Sequence, residues 1–398
     1  MFKWELRKII YSKIFIVSIV LIVGIRLYGL LRVWERGAEF RQSNGLFEEL
    51  HLNEEEYNNV AIPYYQELKS YDTVALMNMD GLYLDNAFAD FYEIGTLIDT
   101  KNYINETYEE SMVTLVRKAA RMVDEDSSPY EVRYYAKYIK VYNQQVDVEP
   151  VNNVDDYLQI MVFGTGIIFM VMLVWVIVIT SYVVKGQEHK RFRGIYMSTA
   201  NGRRNGIMTK LAALSVVFTV FEFICFIALI INAMTMYGFS IRVLTAPIQS
   251  VPEYMYCPIH TSIIGIIGIN YLVRLVIYLM VMCVTAVMTY FLKAIPVIIV
   301  NIVVWVFPVF LLGIMDKSTY EMNQIYDKIG QYYPPSIFDY CNYIMDFDYV
   351  KIGAFPVMRL QCVMVIAFVI IILSNVMLWL FAEKKNMEMG YGIKNQRN

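Results

Sequence analysis

Histidine is almost missing from this chain: three stand in 398 residues, His51, His189 and His260. Scattered through different loops, they exclude an ordinary zinc site of clustered ligands. Charge is scarce as well, with Asp, Glu, Lys and Arg making up 18% of the residues, against roughly 25% in soluble domains. No GxxxxGK[ST] loop is present to cradle phosphates, so the chain carries no ATPase motif of its own. A nucleophile elbow, an HExxH pair and a dense Cys/His set are absent too, which leaves no catalytic centre to read. Of the five cysteines, Cys225, Cys283 and Cys362 fall in apolar runs and Cys257 and Cys341 in polar segments. A disulfide between the latter two needs an oxidising face, and nothing in the sequence fixes their separation.

What fills the chain instead is apolar. Hydrophobic residues make up 57% and the mean hydropathy is +0.43, the composition of an integral membrane protein. Six long apolar runs predict six transmembrane helices, at 14–33, 157–184, 207–236, within 261–292, 295–315 and 358–381. The fourth is too long for one perpendicular crossing, and Gly265 and Gly268 near its start suit a tilted or re-entrant piece. Before the first run, Phe2, Trp4, Leu6, Ile9 and Ile10 alternate with Lys3, Arg7, Lys8 and Lys13, as in an amphipathic helix lying in the membrane interface.

Charge divides sharply between the two sides. The stretch from Val183 to Lys210 carries seven basic residues, Lys185, Lys190, Arg191, Arg193, Arg203, Arg204 and Lys210, against one acid, Glu188. Such density beside spanning segments marks a cytoplasmic loop. Acids predominate between residues 35 and 156, in runs such as Glu54, Glu55, Glu56 and Asp124, Glu125, Asp126, which places that segment on the opposite face. Its periodicity is helical: Tyr130, Tyr134, Tyr138 and Tyr142 recur every four residues, and Met112, Val116, Ala119 and Val123 every three or four. Each stripe predicts an amphipathic helix packed on a neighbour. An even number of spans leaves both termini cytoplasmic.

Glu222 and Arg274 lie deep inside predicted spans. Glu222 stands about 15 residues into the third, roughly 22 Å at 1.5 Å per residue. Arg274 stands at a similar depth in the fourth. Charges there face the bundle interior or a wet cavity, and consecutive antiparallel helices are usually neighbours, so Glu222 and Arg274 are expected to pair.

In the basic loop, an acid is followed by a basic segment with glycine, a small-residue step, an arginine, and a lysine opening the next helix. Glu188, Arg193, Gly194, Ser198, Arg203, Ile207 and Lys210 fall in that order. This resembles the first cytoplasmic loop of ABC-2-type transporter permeases, the membrane subunits of ATP-driven exporters. Tyr196 and Met197 stand where many relatives carry leucines, and Ala200 and Asn201 where a proline is common. The resemblance extends to the opening FKWELRKIIYSK and the six-span layout, not to the large segment between the first two spans.

The apolar runs, the charge asymmetry and the helical stripes, together with this resemblance, lead to the expectation of an all-α membrane protein in three parts: 1–34, an interfacial helix and first span; 35–156, an extracytoplasmic helical domain; and 157–398, a bundle of five further spans with a coupling loop at 185–210 and a second outer segment at 316–357. The resemblance further implies a cytoplasmic ABC ATPase subunit holding ATP and Mg, a second permease chain in a homo- or heterodimer, and a site in the plasma membrane. Arg191 and Arg193 would contact acids of the ATPase, Glu188 would cap or counter-charge the coupling helix, and Lys210 would mark the inner edge of the third span. No cofactor is expected in this chain and no nucleic acid as partner. A few-charged bundle suits a hydrophobic or amphipathic cargo such as a peptide, lipid or drug-like compound. Two other classes fit a six-span chain with a large outer segment: a sensor or receptor with an extracytoplasmic ligand-binding domain, and an ion-driven secondary transporter. The latter commonly shows internal repeats and midplane charges; no repeat is evident here and the two charges sit off-centre.

Overall fold

The computed structural model describes residues 2–25, 41, 103–104, 107–123, 127–144, 146–148, 151–163, 166–185, 202–309, 333–335 and 347–395. It is mostly helical. α1 (Phe2–Ile10) and α2 (Lys13–Ile25) meet at a 59° bend. The corner is set by Ser12, whose hydroxyl accepts the Phe15 N–H at 3.2 Å and so caps the start of α2. α3 (107–121) and α4 (Pro129–Tyr142) follow in the acidic segment. Pro129 opens α4 and Ser128 and Glu131 close a reciprocal capping box ahead of it.

A short α5 (Val154–Tyr157) runs into a π-helical stretch, Leu158–Phe163, before α6 (Gly166–Lys185). The second apolar run is thus interrupted at its start rather than one uniform helix. α7 spans Gly202–Thr235, and a compact turn region containing α8 (Ile241–Thr245) leads to α9 (Ile263–Phe291). α10 (Ala294–Asn301) continues through a second π stretch, Ile302–Val306, and α11 (Arg359–Asn395) closes the chain.

Four stretches are long and apolar enough to cross a membrane: Ile168–Lys185, Gly206–Thr235, Ile263–Phe291 and Arg359–Phe381. The bent α1–α2 pair makes a fifth if counted as one span, and Ala294–Val309 is a shorter apolar helix. The chain is therefore membrane-embedded. Of the tilted and re-entrant alternatives for the start of the fourth run, the re-entrant one does not hold: Gly265 and Gly268 lie in one continuous helix. Ser262 caps it by accepting the Gly265 N–H at 3.2 Å, and a Cβ at Gly265 would stand 2.2 Å from the Thr261 hydroxyl. Twenty-nine residues rise about 43 Å, so α9 tilts or projects beyond a core of about 30 Å.

α9 is the central element. Ile266, Ile267, Ile277, Met280, Val281 and Ala286 are fully buried, and 61% of its spanning window is covered, against 22% for α11. α6 lies parallel to it, with Phe169 stacked on Tyr278 at 5.5 Å. α7 runs antiparallel, with Phe226 against Tyr271 at 5.8 Å and the Ser215 hydroxyl 4.0 Å from the Met282 sulfur. α11 is parallel, with Asn375 against Cys283 and Phe381 against Phe291. The ends of α6, α9 and α11 therefore share one side with the start of α7, called here the loop end.

At the other end sits a departure from an all-helical chain. β1 (Tyr349–Ile352) and β2 (Phe355–Met358) pair antiparallel across a two-residue turn where Gly353 takes φ +61°, and β2 feeds directly into α11. The tyrosine stripe of α4 packs on this hairpin as the periodicity predicts: Tyr134, Tyr138 and Tyr142 surround Phe347, which stacks on Tyr349 at 3.9 Å. The methionine stripe joins the same small core through Met112 and Tyr108.

Candidate functional site

The residues expected to meet an ATPase divide between what is and is not described. Glu188, Arg191, Arg193, Gly194 and Ser198 lie outside the described residues. Arg203 stands in the first turn of α7, and Lys210 two turns further on, where it is partly buried. α1 packs along α7, which brings the amphipathic N-terminal helix beside the end of the basic loop.

Lys185, the last residue of α6, reaches across to α9. Its ammonium donates to the carbonyl of Leu292 and, at 3.4 Å, to that of Thr289. A helix leaves its last carbonyls without intrahelical donors and carries partial negative charge there, so a lysine is the natural cap. Leu292 is extended and turns the chain into α10. Nothing in the sequence pointed to this contact, because Lys185 reads there as one more charge of a basic loop.

Halfway along α6 lies a hub. Trp175 contacts Phe218 and Phe221 of α7, each at 5.2 Å, and Phe15 of α2 at 6.0 Å; its indole N–H donates to the Ser18 hydroxyl at 2.8 Å. Both α6 and α7 pack on α9.

Glu222 and Arg274 are both buried, each with 3% of its surface exposed. The antiparallel register fixed by Phe226 on Tyr271 and Ser215 on Met282 puts them at the same level of facing helices. Arg274 also donates to the Val162 carbonyl at 2.7 Å. Val162 belongs to the first π stretch, and π turns displace carbonyls from their regular partners, so a guanidinium finds an acceptor there.

The second π stretch has its own polar group. Asn301 accepts from the Trp305 indole at 3.1 Å and from the Thr285 hydroxyl at 3.3 Å, and donates to the Val297 carbonyl at 2.9 Å. This clasp joins α10 to α9 inside the membrane. A lone asparagine in AIPVIIVNIVVWV was the available signal.

The chain matches no protein-family model, no curated protein and no solved structure.

At the far end, α4 grips the hairpin through cations. The Lys137 ammonium donates to the Pro356 carbonyl at 3.2 Å and lies 4.4 Å from the centre of the Tyr349 ring; the Arg133 guanidinium lies 4.3 Å from that of Phe355. Burial pulls the Lys137 ammonium below its ordinary value. Asp348 pairs with Arg359 at 2.7 Å, tying the hairpin to the first residue of α11. Burial raises the Asp155 carboxyl above the ordinary value; the negative charges of Asp156 and Glu253 add to this and backbone hydrogen bonds oppose it. Cys257 is a free thiol, buried, its Sγ 3.7 Å from the Ile259 carbonyl and its pKa pushed up to about 12 by burial; Cys341 lies outside the described residues. Among the described residues no group of His, Cys, Asp and Glu is placed to hold a metal.

Proposed function

We propose that this chain is the membrane-spanning subunit of an ATP-binding-cassette exporter of the ABC-2 type. It works as a dimer of permease chains with cytoplasmic ATPase subunits that hold ATP and Mg, and moves a hydrophobic or amphipathic cargo across the plasma membrane. The observation that carries this reading is the loop end. A loop dense in Lys and Arg joins two helices that both pack on a central third, so a pull on the loop acts on two neighbours of that helix. In this reading the chain crosses six times. α1 lies in the cytoplasmic interface, where Trp4 and Ile10 are exposed to lipid. α3, α4 and the hairpin belong to the extracytoplasmic side, and both termini are cytoplasmic.

ATP binding favours a closed ATPase dimer, and that free energy shifts the permease only if the docking contacts differ between its two states. Arg191 and Arg193 supply charge-assisted contacts, Glu188 the counter-charge, and Gly194, Ser198, Arg203 and Lys210 frame the docking helix. Reversing both charges, Arg191→Glu with Arg193→Glu, is expected to abolish recovery of an ATPase subunit with the tagged chain while membrane insertion is kept. Undiminished recovery would count against the docking role.

One observation favours a second reading, a membrane receptor: the α4–hairpin cap is fastened directly to the last span through Asp348 and Arg359. A receptor of this kind would need no ATP hydrolysis to signal.

A further inference from the structure

Described side chains at the end of α6 and the start of α7 fix the two ends of the loop between them. At the α6 end that fixture is Lys185. Its ammonium caps the α9 C-terminus at Leu292 and Thr289, and Leu292 and Lys293 form the whole connection to α10. α10 in turn is held to α9 by Asn301 and Thr285 and packs on α6. Lys185 thus ties the loop-end tip of α6 to the turn between α9 and α10.

Higher up, Trp175 holds α6 to α7 and α2 by ring contacts and a single hydrogen bond to Ser18. Ring contacts hold their preferred geometries weakly, whereas a hydrogen bond from an ammonium to a helix end is charge-assisted. α6 is thus held at two levels, at Trp175 mainly by ring packing and at Lys185 by a charged cap.

We propose that Lys185 is a positioning residue for transport coupling: it makes the α9–α10 turn follow the loop when the loop is displaced. The proposal rests on the exporter reading and adds to it the residue through which the fourth and fifth membrane segments are driven. Removing the ammonium while keeping the alkyl stem, Lys185→Met, leaves α6 apolar and packed but frees Leu292 from it. Lys185→Arg keeps the donor.

The test uses the full chain in its complex with the ATPase subunit, reconstituted in lipid, with the five native cysteines replaced. A spin label is placed either in the loop, at Gln187→Cys, or in the turn, at Lys293→Cys, and Mg-ATP is the probe. With Lys185 present, both labels are expected to change mobility on adding Mg-ATP. In Lys185→Met the loop label still responds and the turn label does not; Lys185→Arg restores the turn response. A turn label that responds fully in Lys185→Met overturns the proposal, as does a hydrolysing complex with Lys185 intact in which the turn stays still. Failure to recover any ATPase subunit is a different result: it overturns the exporter reading, and the proposal falls with it.

Discussion

Arg274 shows what a single charged residue does in this bundle. It is buried, bonded to a carbonyl that a π turn exposes, and level with Glu222 on the facing helix. Arg274→Met removes a charged donor from an apolar interior and is expected to destabilise by about 1–3 kcal/mol. Glu222→Gln should also lower the melting temperature in detergent, and the double variant should lose less than the two single losses added together. Strict additivity would end the pairing. Asp155 gives a pH signature. Because its native pKa is raised above 3.8, the protonated form is the one folding favours, so its contribution is fully present below that ordinary value and is lost as pH rises through the native one. Asp155→Asn should therefore raise the melting temperature at pH 7 and flatten the gain seen on acidification; an unchanged slope across that window would contradict this. Of these residues, Glu222 and Arg274 were legible in the sequence, since a charge inside an apolar run has few explanations. Val162 as Arg274's acceptor was not, because a π turn leaves no residue-type signature. Lys185 was hidden by its company of other basic residues.

Elements were legible in proportion to their period. The apolar runs of α6, α7, α9 and α11 needed no tertiary information, as a helix apolar all round has few places to go but the membrane. The stripes of α3 and α4 announced which face each buries. The hairpin was not foreseen: Phe347 to Met358 is rich in aromatic and β-branched residues, which suit an interfacial helix as well as two short strands, and Gly353 alone marks the turn. Its packing carries a prediction. Phe347 is enclosed by three tyrosines of α4 and by Tyr349, so Phe347→Ala is expected to cost the cap about 3–5 kcal/mol. Hydrogen exchange should show amides of α4 losing protection while those of α9 keep theirs. Equal loss in both would mean that cap and bundle unfold as one unit.

At the scale of the molecule, the helices make a bundle whose central member is shielded by its neighbours and whose two ends differ in kind. At the loop end Lys185 ties α6 to the α9–α10 turn; the far end carries a cap of aromatic rings gripped by Arg133 and Lys137 and fastened to α11. Composition foretold the membrane. It did not foretell how the ends are tied, because those ties are backbone carbonyls accepting from distant side chains. In the proposed function a separate ATP-hydrolysing subunit grips the basic loop. Isolation of the native assembly in mild detergent, followed by its Mg-dependent ATPase rate, tests this directly. An ATPase subunit recovered in equal number with this chain and hydrolysing ATP is the expected result; a chain that purifies alone, with no ATP turnover, would overturn the exporter reading.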